Sequence, residues 1–274
     1  MTQQNISQQD LRPKNYIGST LLFIGIFLTA TVVGTLILLG LFTTFKFRWK
    51  LGYVWCAVIG WMTKVFCGLT FEVEGLERVN AQRPTIFFSN HQSAWETLAL
   101  RYILPPHSVV IKRELLYFPI WGWSLLALKS IVINRKNQRA SLKSLLKQGS
   151  RYLKEGLSVL IFPEGTRAGT RDVLKFNIGG AMLAHKTGYP VIPIAHNAGD
   201  YWPRYSFFKY PGVIKVKIGP TIETKGRKAA DINAEAEAWI RQAMKEMGYL
   251  KGYPSIYLDL SVTAYNAINN NSIK

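Results

Sequence analysis

The sequence predicts an α/β fold in which a largely parallel central sheet is flanked by helices and preceded by an N-terminal membrane-associated helical segment. No charged residue occurs from Asn15 to Phe45, which predicts the membrane segment. From residue 71 onward, short β-branched or aromatic runs alternate with longer helical patterns. Such alternation is typical of parallel strands joined by helical crossovers.

The first apolar segment, residues 16–42, exceeds the roughly 20 apolar residues that are needed to cross a bilayer. It is too long for the apolar part of a signal peptide, and no A-x-A-like cleavage site ends it, so we expect a retained anchor. Three cations follow in KFRWK (46–50), against Arg12 and Lys14 before the segment. This bias predicts that the rest of the chain faces the cytoplasm.

A second apolar stretch, residues 51–71, is predicted to form a helix lying in the membrane interface. Its aromatic residues suit the headgroup level, and its uninterrupted apolar run is short. A buried core helix is the alternative interpretation. Cys56 and Cys67 both lie in this stretch without metal-type spacing, so we expect small packing residues in a reducing compartment and no metal site.

The chain combines an apolar fraction of 48% with a formal net charge of +18. Only six Lys/Arg and one acid precede residue 71, so the later part carries +13 by itself. This combination is typical of a protein held at an anionic membrane surface, where each Lys or Arg gains about 1 kcal/mol. A basic face that binds nucleic acid is the competing interpretation.

The elements that follow the membrane segment are predicted from their hydrophobic periodicity. Strands are expected at 85–90, 108–112, 130–135, 157–162, 190–195 and 213–219. Helices are expected at 93–103, 138–154, 176–187 and 230–247. The predicted organisation is an N-terminal anchor at 1–70, with one spanning or embedded helix and one interfacial helix, an α/β domain at 71–250 and a C-terminal tail at 251–274.

The stretch FSNHQSAWET (88–97) places His91 and Glu96 directly after a predicted strand, at the turn into a helix. A neutral imidazole can accept a hydroxyl proton near pH 7 when a partner fixes its tautomer and stabilises the imidazolium. Glu96, on the first helical turn, can fold back to supply that partner. The sequence contains no G-x-S-x-G elbow, so the predicted nucleophile is the substrate's own hydroxyl. A helix cap beside a solvated acid is the alternative interpretation.

A second motif, LIFPEGTRAGTR (160–171), closes another predicted strand with a tight turn. Gly165 permits close backbone approach, Thr166 offers a hydroxyl, and Arg167 can bind a phosphate through two parallel hydrogen bonds. Sites collect at the carboxyl ends of strands in such sheets. The turn therefore predicts an anion pocket, with a purely structural turn as the alternative.

These motifs together resemble those of the glycerolipid acyltransferase family, specifically the bacterial 1-acyl-sn-glycerol-3-phosphate (lysophosphatidic acid) acyltransferases. NHQSAWE and FPEGTR correspond to the family's first and third blocks, INR (133–135) to the second and VIPIAHN (191–197) to the fourth. The resemblance covers residues 70–220. It implies an essential His-x4-Asp pair, which here is His91 with Glu96.

The resemblance also implies which residues bind the substrate. The family holds the glycerol phosphate with an Arg of the second block and with the Glu-Gly-Thr-Arg of the third, and a Pro of the fourth block lies beside the acyl-binding region. Carried over, these residues are Arg135, Glu164, Gly165, Thr166, Arg167 and Pro193.

Two positions depart from the family pattern. Glu96 stands where the family usually has Asp, and Lys129 with Ser130 stands where the second block commonly carries a Gly. The extra methylene of Glu96 lengthens its reach but keeps the same polar contact available. Lys112, at the end of a predicted strand, is a further phosphate candidate, with an ordinary surface lysine as the alternative.

The expected activity is transfer of a fatty acyl group from an acyl thioester to the free hydroxyl of lysophosphatidic acid, which makes phosphatidic acid. Acyl-CoA or acyl-carrier protein is the expected co-substrate; no cofactor and no nucleic-acid partner are expected. One alternative is another acceptor, such as a lyso-ornithine lipid or glycerol 3-phosphate. The other is a non-catalytic, membrane-tethered protein that binds anionic ligands.

Overall fold

The computed structural model describes residues 13–169, 172 and 174–248. The predicted C-terminal tail at 251–274 lies outside these residues. Two long antiparallel helices come first, α1 (Tyr16–Leu39) and α2 (Phe45–Cys67). The Asn15 side chain caps α1 and donates to the carbonyl of Phe66 at 2.9 Å, which fixes the start of α1 to the end of α2.

Helix α1 has the properties of a membrane helix. Within the described part of the chain, one stretch, Tyr16–Phe42, is long and apolar enough to cross a membrane, and most of its surface is exposed. Exposed apolar surface of this extent is unfavourable in water. The helix therefore indicates that the protein associates with a membrane.

Helix α2 has two different faces. Tyr53, Val58 and Trp61 are exposed apolar side chains on one side. The side chains of the other face recur at helical spacing and are buried: Trp49, Cys56, Ile59, Met62, Thr63 and Cys67. One face thus joins the protein core, as in the alternative sequence interpretation, while the other remains available to an interface. Both cysteines are buried free thiols.

A seven-stranded sheet lies against these helices. Its strands are β1 (Leu69–Glu74), β2 (Ile86–Ser89), β3 (His107–Lys112), β4 (Ile131–Ile133), β5 (Ser158–Ile161), β6 (Val191–His196) and β7 (Gly212–Ile218). The strand order is β1-β7-β6-β2-β5-β3-β4. Every neighbouring pair is parallel except β6 and β7. The prediction of a largely parallel sheet is confirmed.

Helices cover both faces of this sheet. The helices of the domain are α3 (Trp95–Ile103), α4 (Trp121–Ala127), α5 (Gln138–Lys154), α6 (Gly179–Thr187) and α7 (Ala229–Glu246). Neighbouring side chains of a strand point to opposite faces, so Phe88 packs with α5, α6 and α7, whereas Phe87 packs with α1, α2 and α3. Because both faces are covered, β2 and β5 are buried along their whole length.

Two elements of the domain differ from the sequence predictions. Strand β1 was not predicted because acids occupy two of its six positions, in LTFEVE. Helix α4 was not predicted because it is only seven residues long and contains a glycine. The other predicted elements of the domain are present, with ends shifted by up to three residues: α6, for example, begins at Gly179 instead of 176. The helix predicted at 51–71 instead runs from Phe45 to Cys67, because Gly68 ends it in a left-handed conformation and residues 69–71 belong to β1.

Candidate active site

The residues predicted to act on a substrate lie at one edge of the sheet. His91 follows β2, the turn at 163–167 follows β5, Lys112 ends β3 and Arg135 follows β4. These four strands are consecutive in the sheet and parallel. Their carboxyl ends therefore meet at the same edge, which is where ligands bind in open α/β sheets.

His91 and Glu96 form a direct pair. The Nδ1 atom of His91 lies 2.7 Å from Oε1 of Glu96. Because a carboxylate only accepts hydrogen bonds, Nδ1 carries the hydrogen and Nε2 keeps its lone pair. The same Glu96 oxygen accepts the backbone N–H groups of Gln92 and Ser93, each at 2.8 Å. As predicted, Glu96 lies on the first turn of a helix, α3.

The His91 ring is also held by an aromatic neighbour. It stacks on the Phe162 ring with a centroid separation of 4.3 Å and an interplanar angle of 21°. The His91 side chain is 12% exposed, whereas that of Glu96 is fully buried. No described residue forms a hydrogen bond with Nε2 of His91. A fixed imidazole with a free lone pair at the rim of a site is suited to act as a general base.

Glu96 is ionised at neutral pH. Burial alone raises the pKa of this carboxyl, but His196, His91 and the N–H of Ser93 outweigh burial and hold the pKa below its ordinary value. The carboxylate therefore orients the His91 ring and stabilises the imidazolium that forms when Nε2 takes a proton.

The turn after β5 is bonded directly to the His91 loop. Gly165 has a left-handed backbone (φ 72°), which favours glycine, and its N–H donates to the Phe162 carbonyl at 3.0 Å. The N–H of Ala168 donates to the His91 carbonyl at 2.7 Å. The predicted base and the predicted anion turn are thus neighbours.

Arg135 and Arg167 lie in one electrostatic neighbourhood. Partial burial lowers the pKa of Arg135, Glu114 and Tyr205 raise it, and the charge of Arg167 lowers it. A phosphate bound between two guanidinium groups would be held by both through parallel hydrogen bonds. The two arginines follow neighbouring parts of the same sheet edge, after β4 and β5, and their joint role in holding phosphate stays a prediction.

The remaining predicted residues have different surroundings. Thr166 and Lys112 are exposed at the same edge, and neither has an ion pair or side-chain hydrogen bond among the described residues. Pro193 is buried within β6, where it pairs with Phe88 of β2. The roles assigned to these three residues stay predictions.

Comparisons with known proteins agree with this geometry. A protein-family model described as Acyltransferase matches residues 70–197. A relative from Pseudomonas aeruginosa, named 1-acyl-sn-glycerol-3-phosphate acyltransferase, is 48% identical over 196 residues, which cover 70% of this chain and 76% of the relative. The chain belongs to the acyltransferase family. Its partners are accordingly an acyl donor and a lipid acceptor.

Two further relatives extend the comparison of this acyltransferase. The human protein named 1-acyl-sn-glycerol-3-phosphate acyltransferase beta is 33% identical over 183 residues, 65% of this chain and 66% of the relative. The crystal structure of the 1-acyl-sn-glycerophosphate (LPA) acyltransferase PlsC from Thermotoga maritima matches with a TM-score of 0.70 at 24% identity. The match covers 84% of this chain and 96% of the Thermotoga maritima chain, and it shows that the two proteins share a fold.

Glu164 of the acyltransferase points inward. Its Oε1 accepts the His91 N–H at 3.4 Å, and its Oε2 is buried without a partner among the described residues. Burial raises the pKa of Glu164 to about 8, with Glu96 and Glu237 adding to it and Arg241 opposing it. Glu164 thus supports the backbone of the His91 loop, and its predicted role in holding glycerol phosphate stays a prediction.

The elevated pKa of Glu164 leads to a prediction about stability. A carboxyl whose pKa is about 8 when folded and 4.5 ordinarily contributes stability below pH 4.5, and that contribution is lost as pH rises towards 8. Glu164→Gln cannot ionise, so we expect its Tm relative to the wild type to rise steadily from pH 5 to pH 8. Thermal unfolding of both purified proteins across this range checks the result; a Tm difference that does not change with pH would contradict it.

Sequence analysis missed a buried pair that fixes the His91 loop. The amide of Asn90 donates to the His196 carbonyl at 2.8 Å and accepts the His196 N–H at 3.0 Å. Nδ1 of the His196 ring accepts from Ala198, so its Nε2–H donates to the Asn90 carbonyl at 2.9 Å. These bonds join the end of β2, directly before His91, to the end of β6. No signal of local spacing could have indicated them, because the two residues are 106 positions apart.

Arg204 is a second residue that sequence analysis missed. Its Nη1 donates to the Arg167 carbonyl at 2.5 Å, and its Nη2 lies 3.4 Å from Oδ2 of Asp172. The same loop is fixed to α1, because the Lys209 N–H donates to Ser19 Oγ at 3.1 Å and Phe208 packs edge-on against Tyr16. The loop therefore connects the membrane helix with the anion turn, and Arg204 is a positioning residue for Arg167.

We expect Arg204→Ala to raise KM for the lysophospholipid about ten-fold while kcat falls less. A charge-assisted hydrogen bond of about 1.5–3 kcal/mol is lost, and Arg167 then holds the phosphate less accurately. Steady-state kinetics with the acceptor varied checks this split. Arg204→Lys retains one donor and should recover part of the loss; a fall confined to kcat would contradict the positioning role.

Proposed function

We propose that the protein is a membrane-bound 1-acyl-sn-glycerol-3-phosphate O-acyltransferase. It transfers a fatty acyl group from an acyl thioester to the free hydroxyl of lysophosphatidic acid and makes phosphatidic acid. The observation that carries this proposal is the His91–Glu96 pair, in which Nε2 of His91 has no hydrogen-bond partner among the described residues. The His91 carbonyl accepts the Ala168 N–H of the arginine-bearing turn. A base beside a phosphate site is what acylation of a phosphorylated alcohol requires.

In the proposed reaction, His91 acts first as a base and then as an acid. Nε2 takes the proton of the substrate hydroxyl as that oxygen attacks the thioester carbonyl. The tetrahedral intermediate collapses, the C–S bond breaks, and the imidazolium returns its proton to the leaving thiolate. The products are an ester and a free thiol, and the enzyme returns to its starting state.

The nucleophile belongs to the substrate in this proposal. Ser93 and Ser89 are the described serines nearest to His91 in sequence, and both are fully buried. The Ser93 hydroxyl accepts the Trp95 N–H at 3.1 Å, and the Ser89 hydroxyl donates to the Asn90 carbonyl at 3.1 Å. Neither hydroxyl hydrogen-bonds the His91 ring, so neither is activated for an acyl-enzyme route.

The lysophosphatidic acid is proposed to bind through its phosphate. Arg135 and Arg167 hold the phosphate, and Lys112, Gly165 and Thr166 complete the pocket. The thioester supplies an activated acyl group and His91 supplies the base, so the step needs no cofactor. Acyl-CoA or acyl-carrier protein is the co-substrate.

The proposed location is the inner membrane, with the catalytic domain at 71–250 facing the cytoplasm. Helices α1 and α2 of the anchor at 1–70 support this placement, because both present apolar side chains to the surface. The three cations among residues 46–50, shortly after the apolar segment, have the bias typical of a cytoplasmic flank.

The proposal is tested by the choice of acceptor. We expect release of thiol from a long-chain acyl thioester to depend on lysophosphatidic acid, with phosphatidic acid identified by mass spectrometry. Arg167→Ala should lower kcat/KM for lysophosphatidic acid about 10- to 100-fold. Any turnover of monoacylglycerol, which has no phosphate, should be little changed by this substitution. Arg83→Ala, which removes an exposed ion pair with Glu223 elsewhere, is the matched control. Turnover of a lyso-ornithine lipid or glycerol 3-phosphate in preference to lysophosphatidic acid would contradict the proposal.

A further inference from the structure

Helix α5 carries a cationic stripe that the proposed chemistry does not use. The stripe consists of Arg139, Lys143, Lys147 and Arg151, which recur every four residues and are all exposed. At 1.5 Å per residue, the stripe is about 18 Å long. The helix contains no Asp or Glu, although like charges four residues apart destabilise a helix.

Within the described part of the chain, most of this charge is unpaired. Arg151 lies 3.6 Å from Glu155, just beyond the end of α5. Arg139, Lys143 and Lys147 have no ion pair with any described residue. Their spacing of about 6 Å is shorter than the Debye length of about 8 Å at physiological ionic strength. The stripe therefore presents one continuous positive field instead of separate charges.

Helix α5 lies on the face of the sheet opposite to α1 and most of α2. Leu145, Tyr152 and Leu153 of α5 pack with Phe88 on one face, whereas α1 and most of α2 pack on the other face with Phe87. The exception is Phe45, the first residue of α2, which packs against the cluster on the α5 side. No exposed large apolar side chain of the described chain lies on α5. A membrane-binding surface combines cations with apolar side chains, so the composition and position of the stripe fit a water-soluble acidic partner.

One end of the stripe is close to the active-site edge. Ser141 and Ser144 donate to the carbonyls of Asn134 and Val132 at 2.5 and 2.8 Å, which fixes the start of α5 to the end of β4. Strand β4 is the third strand from β2 in the sheet, after β5 and β3. The lateral distance between β2 and β4 is therefore about 15 Å. A partner docked on α5 could therefore reach His91 with a long flexible arm.

We infer that the α5 stripe docks the acidic helix of an acyl-carrier protein, whose prosthetic arm then brings the acyl thioester to His91. This inference rests on the proposed acyl transfer and names its donor. A coenzyme A molecule groups its phosphates at one end and would contact only one or two of these cations. A row of four cations along about 18 Å instead matches acids distributed along a helix of similar length.

The test compares the two donors with the full-length protein in nanodiscs. The variant carries Arg139→Glu, Lys143→Glu and Lys147→Glu. The control carries Lys186→Glu, Lys225→Glu and Lys228→Glu, which gives the same change in charge at exposed positions beyond the opposite edge of the sheet. We expect the stripe variant to lower kcat/KM for the acyl-carrier protein about 10- to 100-fold. The reaction with acyl-CoA of the same chain length should stay close to that of the wild type.

Other outcomes would overturn the inference. Equal losses with both donors, equal losses in the control variant, or no loss with the carrier protein would each exclude docking on α5. Binding of the unacylated holo-carrier protein, measured by interferometry, should weaken in the stripe variant and with added salt. This binding measurement reports on docking even if the enzyme turns over neither donor. Loss of binding to vesicles containing phosphatidylglycerol, with carrier kinetics unchanged, would assign the stripe to lipid instead.

Discussion

Replacing His91 with Ala is expected to lower kcat/KM for acyl transfer by about 10²- to 10⁴-fold, because general-base catalysis contributes this much. The free Nε2 of His91 has no substitute among the neighbouring described groups: the Glu96 carboxylate is fully buried, and the Glu164 carboxyl is turned towards the backbone of the His91 loop. Thiol release with lysophosphatidic acid and a long-chain acyl thioester measures the loss. KM for the acceptor should change little, since the phosphate is assigned to other residues.

The His91→Ala experiment has two internal controls. His185→Ala removes an exposed imidazole at the end of α6 and should leave activity intact. The stacked ring of His91 leaves a space beside Phe162 when it is removed, so added imidazole should restore part of the activity. Retention of more than about a tenth of the wild-type rate would contradict the role of His91 as the base.

The local part of the candidate site could be predicted from the sequence. His91 and Glu96 are five residues apart across a turn between a strand and a helix, and the geometry of one helical turn is enough to bring them together. The turn at 163–167 likewise follows from glycine chemistry at a strand end. Their common location follows from a parallel sheet, which the alternation of strands and helices predicts.

The long-range part of the site could not be predicted. The bonds of Asn90 with His196 and of Arg204 with Arg167 join segments 106 and 37 residues apart. They depend on β2 lying beside β6 and on a loop that crosses from α1 to the anion turn. In loops, the sequence pattern also does not indicate where a side chain points. The family resemblance assigns Glu164 to the substrate, but in the structure its carboxyl accepts the backbone N–H of His91.

The membrane segment shows why composition alone did not separate the two interpretations of α2. Residues 51–67 are apolar around most of the helix, so no single face could be identified as the core face. In the structure, α2 packs between the exposed helix α1 and the sheet, and Ile59 and Met62 share a core with Leu22 of α1 and Phe87 of β2. A helix with one buried face and one exposed apolar face requires hydrophobic residues on both.

The second large effect is expected at Glu96. Glu96→Gln should lower kcat/KM about 10- to 100-fold, less than His91→Ala. The amide oxygen of Gln can still accept the N–H groups of Gln92 and Ser93, so the turn that now depends on two bonds of 2.8 Å is kept. A neutral amide does not stabilise the imidazolium as a buried carboxylate does, and hydrogen bonds to charged groups are worth about 1.5–3 kcal/mol.

Glu96→Asp separates charge from side-chain length at the same position. Asp restores the carboxylate, and the resemblance to a His-x4-Asp motif indicates that this backbone can seat the shorter acid, so we expect most of the activity to be retained. The expected order of kcat/KM is wild type, then Glu96→Asp, then Glu96→Gln, then His91→Ala, measured in the same thiol-release assay. If Glu96→Gln were as active as Glu96→Asp, the carboxylate would serve only to close the turn, and its charge would have no part in the reaction.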